Sequence, residues 1–247
     1  MFSRSSRAAV RTGVFIGGKD ALLALDMLDA ASKALFKPFE ISLFADPAGS
    51  FTTAAAMIAV VEKTLREKKD RALRGAAVSV FGATGVVGTA SGVIAALEGA
   101  SVTFVGRDGT DRTARHASEV NRRFGVNIVV ADGSTPGTKA AILSATELVL
   151  CTAKAGVRVL DAGEIAGATK LLVAADVNAV PPSGIEGVDA HANGTPLGEH
   201  GALGVGALAI GNVKYRTESG LFKQMTESKT PLRLDFRQAF DLARTLA

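Results

Sequence analysis

The stretch Val78-Ser79-Val80-Phe81-Gly82-Ala83-Thr84-Gly85-Val86-Val87-Gly88 decides how this chain is read. A short β-like run enters a glycine turn, and a helical pattern follows over residues 86–98. That order suits a dinucleotide diphosphate. Glycines let the backbone turn tightly and approach the anion, and the free N–H groups of the first helical turn face its charge. The spacing is Gly-x-x-Gly-x-x-Gly rather than Gly-x-Gly-x-x-Gly. With Gly85 and Gly88 as the second and third glycines, Ala83 takes the place of the first and Gly82 precedes it. Gly82, Ala83, Thr84, Gly85, Val86 and Gly88 are the candidate cradle, with Gly88 letting the helix pack close to the sheet.

Downstream the pattern repeats. Strands are expected at 76–81, 101–105, 126–130, 147–151 and 170–175, and helices at 86–98, 110–124, 136–145 and 161–166. Strands spaced by helices of this length imply parallel βαβ units. The next strand ends in Phe104-Val105-Gly106-Arg107-Asp108, with Arg107 19 residues after Gly88. A guanidinium there favours a 2′-phosphate, hence NADP, whereas Asp108 would hold ribose hydroxyls and keeps NAD open. The loop Cys151-Thr152-Ala153-Lys154-Ala155-Gly156 follows a late strand, and its small residues suit a flat nicotinamide ring. Thr152, Ala153 and Lys154 are candidates there, with Asp176 and Asn178 at the next strand end. Cys151 reads as a small buried hydrophobe. His116 sits among Arg112, Arg115 and Glu119 and reads as solvated. His191 and His200 are too far apart and too few for a metal site. Residues 177–201 read as a long loop, followed by helices near 205–227 and at 235–246, the latter capped by Asp235.

Upstream, Gly13–Ile16 is a strand candidate ending at Gly17-Gly18, with Lys19 just beyond. A helix is expected over 19–36, a strand over Glu40–Ala45, a turn at Asp46-Pro47-Ala48-Gly49-Ser50 and a helix over 52–69. Gly75 breaks this first alternating set from the second. Residues 1–19 carry Arg4, Arg7, Arg11 and Lys19 and no acid. No apolar stretch follows them, so they read as an irregular extension rather than a secretory signal.

Composition narrows the function. Of 247 residues 47% are hydrophobic, enough for a core. The longest apolar run, Ala54 to Val61, falls far short of the roughly 18 residues of a membrane span. One cysteine permits no intrachain disulfide and suits a reducing compartment. The net charge of +4 is scattered, and the 12 Phe sit mostly inside apolar runs, so nucleic acid is disfavoured as a partner. No acid–base pair or metal set stands out, which leaves a binding cleft with a redox cofactor.

Several stretches resemble the NADP-dependent methylene-tetrahydromethanopterin (or methylene-tetrahydrofolate) dehydrogenases of methylotrophic bacteria. They are Phe15-Ile16-Gly17-Gly18, Asp46-Pro47-Ala48-Gly49-Ser50-Phe51-Thr52-Thr53-Ala54-Ala55-Ala56, the glycine loop and Val120-Asn121-Arg122-Arg123-Phe124. Further on come Ala175-Asp176-Val177-Asn178-Ala179-Val180-Pro181-Pro182-Ser183-Gly184-Ile185-Glu186-Gly187-Val188-Asp189 and Gly206-Ala207-Leu208-Ala209-Ile210-Gly211-Asn212-Val213-Lys214. The resemblance runs from about Thr12 to near the C-terminus. It implies an α/β fold: a smaller N-terminal α/β substrate domain (1–72), a Rossmann-like parallel-sheet NADP-binding domain (73–212), a cleft between them, and C-terminal helices (213–247) returning to the first domain. The family carries a segment ahead of the Phe15-Ile16-Gly17-Gly18 stretch that this chain lacks, so a shortened first domain is expected. The implied reaction moves a hydride from the methylene carbon of a tetrahydromethanopterin or tetrahydrofolate carrier to the nicotinamide, in the cytoplasm, in a homo-oligomer. Thr52, Thr53 and Lys214 match family positions facing the pterin, with Lys214 an orienting residue and Lys19 a further substrate-side candidate. The rival readings are a shikimate-dehydrogenase-like NADP oxidoreductase and a non-catalytic NADP-binding protein.

Overall fold

The computed structural model describes residues 11–247. Most of the N-terminal extension therefore lies outside the described residues. Two sheets organise the rest. The smaller has the order β1-β2-β10, from β1 (Gly13–Ile16), β2 (Ser42–Ala45) and β10 (Arg233–Leu234). The larger has the order β5-β4-β3-β6-β7-β9-β8. Its strands are β3 (Ala77–Phe81), β4 (Ser101–Gly106), β5 (Val129–Asp132), β6 (Leu148–Cys151), β7 (Val173–Asp176), β8 (Asn193–Leu197) and β9 (Ala202–Val205), all parallel but β8.

Helix α1 (Ala21–Ala34) crosses from β1 towards β2, and Asp20 caps it by accepting the Leu23 N–H at 2.9 Å. Helix α2 (Ser50–Lys69) is apolar on nearly every face from Phe51 to Val61 and accordingly buried there. It packs on α3 (Val86–Leu97), α7 (Ala207–Glu227) and α8 (Phe236–Leu246), joining the two sheets through one core. Helices α4 (Asp111–Phe124), α5 (Pro136–Leu143) and α6 (Ala162–Gly167) complete the crossovers of the large sheet. Crossovers run outward from β3 to β5, then return to β6 and run the other way. The reversal lies between β3 and β6, where open α/β sheets bind ligands at their carboxyl ends. No described helix is long and apolar enough to cross a membrane.

The structure departs most from the expected elements in four places. The strand expected at 126–130 begins at Val129, because the Asn121 side chain takes both backbone groups of Ile128. The strand expected at 170–175 begins at Val173, since Leu171 still closes a turn onto Ala168. The expected loop 177–201 contains β8, paired antiparallel with β9. The same pairing delays the expected 205–227 helix to Ala207. Pro196 is tolerated there because β8 is an edge strand. Finally, the two-residue β10 joins the small sheet, with the Leu232 N–H donating to Ser42 Oγ at 3.0 Å.

Candidate functional site

The cradle forms at the sheet reversal. Phe81 and Cys151 end neighbouring strands in register, so the loops after β3 and β6 leave side by side. Thr152 ties them, its N–H and hydroxyl both donating to Phe81 O at 2.8 and 2.9 Å. The tight turn falls on Gly82, with φ +82°, not on Ala83. A Cβ on Gly82 would lie 2.7 Å from backbone atoms of Thr152 and Ala153. A Cβ on Gly88 would lie 2.5 Å from Gly82 O and 2.6 Å from Thr152 Oγ1. The loop holds one residue more than the usual fingerprint, and Gly82, Gly85 and Gly88 divide the tight turn, the helix entry and the close packing between them. Gly85 enters α3 in extended conformation, and no side chain caps that helix. Its first N–H groups are left for an anion.

A cleft of about 440 Å³ opens on this cradle. Gly82, Ala83, Thr84, Gly85, Arg107, Thr152, Ala153 and Lys154 all line it. Val86 begins α3 and lines an adjoining hollow, and Gly88 sits one turn inside the helix. At the β4 end, Arg107 donates to Asp108, Nη2 to Oδ2 at 2.9 Å, and holds that carboxyl below its ordinary range. Arg112, from the first turn of α4, crosses to the cradle and donates to Thr84 Oγ1 at 3.0 Å. Lys139 and Arg158 line the far wall but are engaged by Glu164 and Glu186.

Asp176 and Asn178 stand behind the cleft rather than in it. Both are buried. Asp176 accepts the N–H groups of Asn178 and Ile185, and burial raises its pKa against the pull of those bonds. The Asn178 amide spans two loops: it accepts from the Gly156 and Val180 N–H groups and donates to Pro182 O at 2.9 Å. Asn178 thereby ties the end of the loop after β6, at Gly156, to the loop after β7, at Pro182. Cys151 is buried, and burial beside Asp176 pushes its thiol up to about 12. Native protein at neutral pH is therefore expected to leave a thiol reagent unconsumed, while unfolded protein titrates one thiol; fast labelling of the native form would contradict this burial.

On the small sheet, buried Asp46 accepts the N–H groups of Phe51 and Thr52 and the Thr52 hydroxyl, at 2.7, 3.3 and 2.6 Å. Burial raises its pKa, with Thr52 opposing the rise. Thr52 is thus spent on capping and fully buried, and the Thr53 hydroxyl donates to Gly49 O at 2.7 Å. Neither hydroxyl proton is offered to a ligand. Lys214, from α7, lies over the Gly49 turn and pairs with Glu218. Lys19, in the β1–α1 loop, shares the adjoining hollow with Thr84 and Val86, so this loop faces the cradle.

The profile described as methylene-tetrahydromethanopterin dehydrogenase, N-terminal, matches residues 1–48. The NAD(P)-dependent methylenetetrahydromethanopterin dehydrogenase of Methylorubrum extorquens is 47% identical over 247 residues, which is 100% of this chain and 83% of that protein. This chain belongs to that family. The bifunctional protein MdtA of the same organism is 31% identical over the same span and shares. Among solved structures, the ligand-free 5-ketofructose reductase of Gluconobacter sp. strain CHM43 covers 92% of this chain and 76% of its own, at 17% identity and a TM-score of 0.49.

Within this dehydrogenase frame, two residues escaped the sequence reading. Arg112 carries no motif; only the fold-back of α4 onto the β3 loop brings it to Thr84. His116 is half-buried rather than free in solvent as expected. Its ring stacks on Phe104 at 6.2 Å and its Nε2 lies 2.7 Å from Thr89 Oγ1. An amphipathic helix reading sees the charges around His116 but not the strand beneath it.

Proposed function

We propose that this chain oxidises the methylene carbon of 5,10-methylene-tetrahydromethanopterin with NADP+, in one-carbon metabolism. The C–H electron pair leaves as hydride, and the carbon becomes a methenyl cation shared by two nitrogens. Bound NADP+ supplies the acceptor, nicotinamide C4. No proton leaves in that step, so the chain's task is alignment, exclusion of water and electrostatic support.

One observation carries the cofactor half: the Gly82–Gly88 cradle, with no room for a Cβ at Gly82 or Gly88 and open at the α3 N-terminus, beside Arg107 and Arg112. The carrier half rests on the 47% identical relative. In this reading Gly82, Ala83, Thr84, Gly85, Val86 and Gly88 hold the diphosphate, and Arg107 and Arg112 the 2′-phosphate. Thr152, Ala153 and Lys154 border the nicotinamide, while Lys19 and Lys214 mark the pterin side. Residues 1–72 and the helices of 213–247 form that side, and 73–212 the cofactor side. One buried thiol fits the cytoplasm. Exposed Leu23, Met27 and Phe36 fit a homo-oligomer.

The test is steady-state NADPH formation with methylene-tetrahydromethanopterin and, separately, methylene-tetrahydrofolate. Turnover on the first supports the reading, turnover on folate alone reassigns the carrier, and turnover on neither refutes it. Arg107 also masks Asp108. Arg107→Ala is expected to lower kcat/KM for NADP about tenfold while leaving NAD no worse, because the freed carboxylate accepts ribose hydroxyls. Equal losses for both cofactors would contradict a 2′-phosphate role.

A further inference from the structure

A polar hollow of about 340 Å³ adjoins the cofactor cleft and shares Thr84 with it. His116 forms part of its wall, with Lys19 and Asp20 from the β1–α1 loop and Glu119 from its own helix. The Thr89 hydroxyl, buried beneath, lies 2.8 Å from Gly85 O, 3.1 Å from Ala83 O and 2.7 Å from His116 Nε2. A threonine hydroxyl has one proton and two lone pairs. Given to either loop carbonyl, that proton leaves the oxygen to accept, so His116 donates through Nε2–H. Burial lowers the His116 pKa, and the neutral Nε2–H tautomer makes the same bond.

The Gly85 carbonyl matters because peptide units are planar. Gly85 C=O fixes the plane that carries the Val86 N–H. We propose that His116 is a positioning residue for the cofactor: through Thr89, whose single proton has its shorter contact with Gly85 O, it holds the glycine turn so that the Val86 N–H faces the diphosphate. The Phe104 ring beneath fixes the imidazole's height. This rests on the cofactor reading above.

Calorimetric titration of NADP tests it on the full chain and on His116→Phe, His116→Gln, Thr89→Val and the double variant His116→Phe/Thr89→Val. Phenylalanine keeps the stack and loses the donor; glutamine keeps an N–H. His116→Phe is expected to weaken NADP about tenfold and Thr89→Val by a similar factor, with His116→Gln within about threefold of wild type. The double variant should be no weaker than the worse single, because both break one relay. At saturating NADP, kcat should change less than about twofold, so the effect falls on KM. Wild-type affinity in His116→Phe, losses that multiply in the double variant, or His116→Gln as weak as His116→Phe each overturn the proposal. If His116→Phe does not fold, Thr89→Val alone decides, wild-type affinity refuting the relay. Failure of the unmodified chain to bind NADP instead refutes the cofactor reading itself.

Discussion

Gly82→Ala is expected to abolish measurable NADP binding and to destabilise the chain. Gly82 has φ +82°, where an L-residue costs about 1–2 kcal/mol. The added methyl would lie 2.7 Å from three backbone atoms of the facing loop, Ala153 N and Thr152 C and O. None of these is the end of a flexible side chain. The facing loop cannot retreat freely, because Thr152 donates twice to Phe81 O and the strands before both loops are in register. Relief means giving up those bonds, at about 1 kcal/mol each, and parting the two loops that make the crevice. A loss of about 3 kcal/mol of stability follows, with NADP affinity down at least about 100-fold. Gly75→Ala separates conformation from contact. Gly75 has φ +79° with open space where its Cβ would be, so this variant should lose about 1 kcal/mol of stability and keep its affinity for NADP. Thermal unfolding and NADP titration of both variants read the difference. Gly82→Ala binding NADP as wild type would remove the glycine turn from the cofactor site.

What was legible in the sequence divides along local and long-range lines. The strand–glycine–helix step at Val78–Gly88 is local, and it puts the glycine turn at the reversal of the large sheet, although the spacing points to Ala83 for a turn that Gly82 makes. Alternating runs gave the parallel large sheet, since each crossover is short and its pattern self-contained. Asn193-Gly194-Thr195-Pro196-Leu197 reads as turn in composition and becomes a strand only because β9 lies beside it. Residues whose role depends on which element folds over which were misread: His116 is half-buried over Phe104 and meets the Thr89 hydroxyl, and Asp176 turns inward to serve backbone N–H groups. Thr52 illustrates the same limit beside the small sheet. Its position in a distinctive stretch drew attention, yet the distinctive partner is Asp46, six residues earlier, which takes the Thr52 hydroxyl and two N–H groups at the start of α2.

Lys214→Met is the second large effect, and its expected signature is the reverse of Gly82→Ala: turnover falls about 100-fold while NADP affinity stays at the wild-type value. The side chain leaves α7 to lie over the Gly49 turn, outside the NADP cleft, so its removal should not reach the cradle. A lysine beside a carbon that becomes cationic would oppose the reaction if its charge stood alone. Glu218, one turn along the helix, pairs with it, so the ammonium can fix the carrier by hydrogen bonds while the pair adds little net charge. Methionine keeps the length and apolar stem of lysine and removes both charge and donors, which separates orientation from packing. Glu218→Gln tests the other half: the ammonium loses its counter-charge, and kcat should fall about tenfold with NADP binding again unaffected. Single-turnover rates together with NADP titration of the two variants give the answer. Wild-type rates in Lys214→Met would leave the carrier to be oriented from elsewhere, with Lys214 and Glu218 reduced to a helix-face ion pair.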